Sequence, residues 1–302
     1  NPAQALLNWT TRATSGLEEL EKTDIADHAL GALRKSNIEE VVILGRRSHL
    51  HAAYNNPELE EFAYLPGVEI RAEGDGLPSH NDEVLDELDW VTKRKLKTLS
   101  RLAERKVDVT NKRIVFRFLS SPAELVGNGR VEKIQVIRNR LELNEDGKMV
   151  ARPTGEKTMI ETGLVLRAIG YRGHPFPGLP FDESRGVIDN VVGRVADKGE
   201  VRPGVYVVGW IKRGPQGIIG TNKQCAVETV SHLLSDVSAG RIGDKSPLSS
   251  TEVSAAIALR KKEVVSESGW RKIDVSERRK GKRSGRPRVK FCSVDEMIDN
   301  SA

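Results

Sequence analysis

Two stretches of the chain hold residues whose types and spacing suit chemistry. The first, Val205 to Thr229, reads VYVVGWIKRGPQGIIGTNKQCAVET. Its opening run, Val205-Tyr206-Val207-Val208, is β-branched and aromatic and predicts a buried strand. Gly209 and Trp210 end that run, and the loop from Ile211 to Gly220 carries Gly214, Pro215, Gly217 and Gly220. Thr221 then offers a side-chain oxygen as N-cap for a helix that runs to Gly240. A strand, a glycine-bearing loop and a helix N-terminus aim backbone N–H groups and a positive dipole end at one point. Such a point suits an anion, or a cofactor ring that becomes negative when reduced.

The second stretch is Gly45-Arg46-Arg47, directly after the apolar run Val41-Val42-Ile43-Leu44. The end of the second strand of a doubly wound sheet is where such folds choose a dinucleotide. An acidic residue there accepts hydrogen bonds from the NAD ribose, whereas arginine pairs with the extra 2′-phosphate of NADP. Two adjacent guanidinium groups supply a planar fork and a second charge for a dianion. A solvated positive strand edge is the other reading of these three residues.

The elements that must position both stretches follow from periodicity. Thr23 reads as an N-cap, with Asp24 and Asp27 in the first turn of a helix and Arg34 and Lys35 in the last. Ile25, Ala29 and Leu33 fall four apart and predict its buried stripe, and Asn37 closes it before the strand at Val41. A helix joined by a short loop to an all-apolar strand is the later part of a βαβ unit. Glu69 to His80 reads as a loop, Leu85 to Ala103 as a helix with Lys93, Arg94, Lys95, Lys97 and Arg101, and Ile114 to Leu119 as a strand. Two strands joined through Gly127-Asn128-Gly129 follow, then a turn at Asp146-Gly147 and a further strand. Leu164-Val165-Leu166 predicts one more apolar strand, and the prolines at 175, 177 and 180 predict a stiff crossover. Ser250 to Lys262 predicts a helix.

The run GWIKRGPQGIIGTN resembles the C-terminal flavin motif of the adrenodoxin reductase family of NADPH–ferredoxin reductases. TDIADHAL, VVILGRR, AAYNNPELEE, FRFLSSP, GYRGHPFPGLPFD and GRPRVK resemble further segments of that family in the same order, so the resemblance spans roughly Lys22 to Lys290. It implies an α/β, two-domain FAD/NAD(P)-binding fold of the Rossmann-like, glutathione-reductase type. Residues 1–172 would form the NADP-binding domain, and 173–302 the C-terminal part of the FAD-binding domain with a basic tail. It further implies an oxidoreductase of electron transport that passes a hydride from NADPH to FAD and then single electrons to a ferredoxin or an adrenodoxin-like acidic iron–sulfur protein. Matched residue by residue, Trp210, Gly217, Ile218 and Ile219 would touch FAD, and Arg46, Arg47, Glu58 and Gly217 would touch NADP. The basic residues of 93–101 match a docking segment for the iron–sulfur partner, and Lys212 and Arg213 would either tune the flavin potential or meet that partner. No catalytic proton carrier is implied, because hydride transfer between stacked cofactors depends on geometry.

One departure stands out. No G-x-G-x-x-G occurs in the chain, and NWTTRATSGLEELE stands where the family's NADP glycine loop would precede TDIADHAL. The chain also opens at Asn1 rather than at a methionine, so an N-terminally incomplete reductase is the expectation, one that alone does not hold FAD tightly. The alternative from another class is a cofactor-free remnant or partner-binding α/β module.

Composition bounds the rest. The 302 residues suffice for two domains, with apolar and charged fractions of an ordinary globular protein. No run approaches the length of a membrane span, and no signal peptide opens the chain. Cys225 and Cys292 form neither a CxxC pair nor a metal spacing, which fits a reducing compartment: the cytoplasm, or the mitochondrial matrix in a eukaryote. Half of the residues from Arg271 to Lys290 are Lys or Arg. Gly285-Arg286-Pro287-Arg288 has the look of a minor-groove hook, so a basic nucleic-acid-binding protein is the weakest of the three readings.

Overall fold

The computed structural model describes residues 20–65, 67–74, 88–106, 112–215, 217, 219–242, 248–260 and 263–302. The chain divides into two compact units, residues 168–264 forming one and residues 3–167 with 265–302 the other. The basic tail, expected with the second domain, therefore groups with the first stretch of chain.

In the larger unit, Thr23 does not cap the first helix. Its hydroxyl donates to the Leu20 carbonyl at 2.8 Å and accepts from the Ile25 amide, closing a turn. Helix α1 (Asp27–Arg34) starts only after that turn, and Leu30 is its buried residue while Ile25, Ala29 and Leu33 are half-buried. Asp27 and Arg34 complement its dipole as expected. Strand β1 (Glu40–Leu44) follows, then the short helix α2 (Asn56–Glu60). Strand β2 (Val68–Glu73) occupies ground where a loop was expected. Val68 and Ile70 are buried while Glu69, Arg71 and Glu73 alternate outward, so a period of two lay hidden in an acidic composition. Helix α3 (Trp90–Ala103) is capped by the Asp89 carboxylate, which accepts from the Val91 and Thr92 amides.

Strand β3 (Lys112–Arg117) runs parallel between β1 and β2, giving the order β1-β3-β2. Being central, it buries Ile114, Val115 and Phe116 in succession, as a strand covered on both faces must. Leu59, Phe62, Leu99 and Leu102 from α2, α3 and the turn between α2 and β2 complete this core. An antiparallel meander of β4 (Ser120–Val126), β5 (Lys133–Leu143) and β6 (Met149–Glu161) follows. Leu164, Val165 and Leu166 form no strand and are exposed, since no described strand lies beside them to accept their backbone bonds.

The smaller unit pairs β7 (Phe181–Asp182) with β8 (Val187–Ile188), and β10 (Arg194–Asp197) with both β9 (Asn190–Val191) and β11 (Glu200–Tyr206). Ile188, Val195 and Val207 form its apolar centre. Helices α4 (Trp210–Arg213), α5 (Ile219–Ser238) and α6 (Ser250–Arg260) complete it. Helix α5 is fastened to the sheet through Asp236, which is buried. Asp236 accepts from Arg194 at 2.6 and 2.9 Å, from the Tyr206 hydroxyl at 2.7 Å and from Arg241 at 2.9 Å.

The chain then returns to the larger unit as α7 (Glu267–Arg283) and α8 (Val294–Asp299). Gly281 lets the following segment cross tightly, since a Cβ there would lie 2.4 Å from the Arg288 Cα. Arg286, whose side chain is 8% exposed, donates to the Thr23 carbonyl at 2.9 Å and to the Ile25 carbonyl, and pairs with Asp27. Lys290 meets Asp24 at 2.9 Å. The GRPR run is therefore an internal strap rather than a hook for a nucleic-acid groove.

Arg194, Tyr206 and Arg241 hold the Asp236 carboxyl far below its ordinary value of 3.8. A carboxylate depressed in the folded state stabilises it above the unfolded value, and that contribution is lost as pH falls through the folded value. Asp236→Asn is thus expected to lower the melting temperature at neutral pH. The gap from the parent protein should narrow as the pH drops below 3.8. Thermal melts across that range check it, and a pH-independent gap would contradict it.

Candidate functional site

The end of β1 is built by three backbone bonds. The Gly45 amide donates to the Arg117 carbonyl at 2.8 Å, the Ser120 amide to the Gly45 carbonyl at 2.9 Å, and the Leu119 amide to the Arg47 carbonyl at 3.2 Å. The Asn139 side chain adds a fourth, to the Arg46 carbonyl at 2.8 Å. Arg46 and Arg47 therefore leave the sheet at the carboxyl end of a parallel strand, where ligands bind open α/β sheets. Both are exposed, and neither guanidinium takes part in a hydrogen bond or ion pair among the described residues.

Ser48, His49 and Leu50 continue from this turn into a groove of about 570 Å³, walled on the far side by Asn139 and Thr154. The His49 ring is buried edge-on to Phe118 at 5.9 Å, and burial followed by the nearby His51 pushes its pKa below the usual imidazole value. His51, bonded to the Ser48 hydroxyl at 2.9 Å, is lowered by burial and by Arg47. Burial thus disfavours charge on both imidazoles, beside the two exposed arginines.

Glu58 is not free in the same way. It is 5% exposed, and its carboxylate accepts from the Asn55 amide at 3.2 Å and from the Asn55 side chain at 3.1 Å. Together these close a capping box at the start of α2. No hydrogen bond or ion pair among the described residues joins Glu58 to Arg46 or Arg47.

The basic residues of α3 do not act as one surface. Lys95 donates to the Ala52 carbonyl at 2.7 Å and lies over the Tyr54 ring, and Arg94 forks onto Glu60 at 2.9 and 3.0 Å. Lys97 and Arg101 remain exposed beside Trp90, which is itself 68% exposed, around a second groove of about 550 Å³.

In the smaller unit, the stretch from 209 to 219 is not one loop. Trp210 to Arg213 form a single helical turn between Gly209 and Gly214, whose φ angles are +72° and +93°. The Trp210 ring stacks on Tyr171 at 5.8 Å and 29°. Its indole Nε1 is buried with no acceptor among the described residues. Lys212 turns inward rather than toward a partner: it is buried, and its ammonium group bonds Glu228 and the Thr229 hydroxyl. Arg213 reaches back to Asn222. Gly217 is exposed at φ +85°, and a Cβ there would come within 2.8 Å of the Thr221 side chain. Helix α5 starts at Ile219, so Thr221 lies in its first turn rather than at its cap. Ile218 lies outside the described residues.

Sequence reasoning missed Asn139 and Tyr171 as parts of these sites. Asn139 is 93 residues from Arg46, and no local pattern ties the two together. Tyr171 sits in GYRG, a glycine-flanked aromatic in a coil, which was the available signal.

A parallel sheet with exposed paired arginines at a strand end, and a glycine-punctuated turn ahead of a long helix, are features of the dinucleotide-binding class of α/β fold. The comparisons with known proteins agree. The chain is 42% identical over 283 residues to NADPH-ferredoxin reductase FprA of Mycobacterium tuberculosis, covering 92% of this chain and 61% of that one. It is 35% identical over 316 residues to the mitochondrial NADPH:adrenodoxin oxidoreductase of Arabidopsis thaliana, covering 99% and 63%. The solved structure of Mycobacterium tuberculosis FprA in complex with NADPH superposes with a TM-score of 0.89 at 40% identity, covering 99% of this chain and 65% of that one. No family model matches the chain. The chain is thus a homologue of the adrenodoxin-type NADPH–ferredoxin reductases and has their two-domain α/β fold, while spanning about three fifths of their length.

The Gly217 turn yields a direct test. An alanine must adopt a left-handed backbone and displace Thr221, so Gly217→Ala is expected to cost about 1–2 kcal/mol of stability. Denaturant titration measures it, and an unchanged midpoint would show that the turn is not held at positive φ.

Proposed function

We propose that this protein serves as an NADPH–ferredoxin oxidoreductase that binds FAD and NADP. Bound FAD would supply the redox chemistry, linking hydride transfer from NADPH to single-electron transfer to an iron–sulfur protein. The chain's own residues bind and orient. Arg46 and Arg47 grip the 2′-phosphate of NADP as a pair of planar forks. Glu58 acts at one remove, holding the capped turn of α2. Trp210 walls the flavin, and its unpartnered indole N–H is a donor already desolvated for a ligand acceptor. Gly217 and the start of α5 at Ile219 would offer amides to the flavin, with Ile218 as a further flavin contact. Lys97 and Arg101 beside Trp90 give the acidic iron–sulfur protein a place to dock. The names of the relatives, bacterial and mitochondrial, support a cytoplasmic or organellar matrix setting; among the described residues no helix is long and apolar enough to cross a membrane.

The observation that carries this reading is the pair of exposed, unengaged guanidinium groups at the carboxyl end of β1, in a chain homologous to NADPH reductases. The nucleic-acid alternative loses its support once Arg286 is spent on the Thr23 and Ile25 carbonyls. Flavin absorbance in the purified protein, bleached on adding NADPH, distinguishes the reductase from a cofactor-free remnant. Arg46→Ala is expected to weaken NADPH binding about 10- to 100-fold, the size of a lost charged hydrogen bond, with NADH binding little changed. Equal weakening of both nucleotides in a binding titration would refute the 2′-phosphate role.

A further inference from the structure

Arg46 and Arg47 sit on an exposed turn, and a phosphate-binding pair on a loose turn would have to be ordered at every binding event. The turn is not loose, and beyond the Gly45 bond to Arg117 of the parallel sheet, what fixes it comes from the antiparallel meander. Asn139 of β5 is 3% exposed. Its amide nitrogen donates to the Arg46 carbonyl at 2.8 Å and to the Ser121 hydroxyl at 2.8 Å, which uses both of its hydrogens. Its backbone amide donates to the Leu119 carbonyl at 2.7 Å, and the Leu119 amide in turn reaches the Arg47 carbonyl. Leu119 holds φ +51°, one of three non-glycine residues described with a positive φ, so the bend that delivers this bond is not a relaxed one. The β5–β6 register shifts between Ile137 and Asn139, the kind of bulge that re-aims a side chain.

We propose that Asn139 is a positioning residue that sets selectivity for 2′-phosphorylated nucleotides. It clamps the backbone of Arg46 from across the fold so that both guanidinium groups are presented ready for a phosphate dianion. The inference rests on the reading of Arg46 and Arg47 as the 2′-phosphate ligands. It adds that the meander, which contributes no strand to the parallel sheet, determines how well they discriminate. Asn139 acts through the Arg46 backbone.

The test compares binding of 2′,5′-ADP and 5′-AMP to the full chain by titration calorimetry. Asn139→Ala is expected to lower affinity for 2′,5′-ADP about tenfold and to change that for 5′-AMP by less than about twofold. Ser121→Ala, which removes the other acceptor and keeps the bond to Arg46, should retain the parent's selectivity. Arg46→Ala is measured alongside. If it leaves the preference for 2′,5′-ADP unchanged, the underlying reading fails; if it abolishes the preference while Asn139→Ala retains it, the positioning role alone fails. Equal loss of both ligands in Asn139→Ala would also overturn the proposal. Asn139→Ser, too short to span to the Arg46 carbonyl, is read the same way if the alanine variant does not fold. Failure of both to fold would make Asn139 a residue of the fold and not of selectivity.

Discussion

A parallel sheet brings every strand to an end on the same edge, and that constraint organises the larger unit. β3 is hydrogen-bonded on both sides and buried on both faces, so β1 cannot shift register without breaking the pairing from Glu40 to Leu44. The backbone bonds then extend one residue past the strand, through Gly45, before the chain turns. A Cβ at Gly45 would come 3.0 Å from Phe118, so a side chain there would press on the ring that closes the core at this edge. The arginines project outward because the residue before them is pinned inward. Their position is a consequence of sheet geometry before it is a matter of charge.

Charge is then distributed by subtraction. The chain is rich in cations, and several of those described are spent internally. Arg286 satisfies backbone carbonyls, Arg105 bonds the carbonyls of Ala63, Leu65 and Val68, Lys95 caps Ala52, and Lys212 is buried against Glu228. A cation placed on a carbonyl is worth more to the fold than one in a surface pair, which contributes little. Arg46 and Arg47 are among the described cations left exposed without such partners, and their place at a strand end is informative in a way that net charge is not. The positive balance of the sequence suggested polyanions, and the internal bonds withdraw Arg286 and Lys212 from such a role.

How much of this was legible in the sequence differs by the range of the interaction. The apolar run at Val41–Leu44 and the place of Arg46 and Arg47 just past its end were readable because the strand and the turn after it adjoin in the chain. The strand at Val68–Glu73 was missed because its outward face is acidic, and composition outweighed the alternation of Val68, Ile70 and Ala72. Thr23 and Thr221 both have the chemistry of caps, but one closes a turn and the other sits a residue pair inside its helix. Leu164–Leu166 had the composition of a strand without a neighbour to pair with, and a strand is a property of the pair. Asn139 and the Arg286 strap were not legible at all, because their partners lie 93 and 263 residues away.

The turn around Trp210 follows a different logic from the arginine turn. Gly209, Gly214 and Gly217 all hold positive φ, and the charges between them point into the unit: Lys212 toward Glu228, Arg213 toward Asn222. Among the described residues, the same turn carries the Trp210 ring stacked on Tyr171 and leads into a 20-residue helix. Fixed N–H dipoles stabilise negative charge that develops on a bound ring, without the ordering cost a mobile lysine would carry. A buried ammonium group paired with Glu228 also adds little net field, since the pair is nearly neutral from a distance. Glycine thus shapes a turn that runs directly into helix α5.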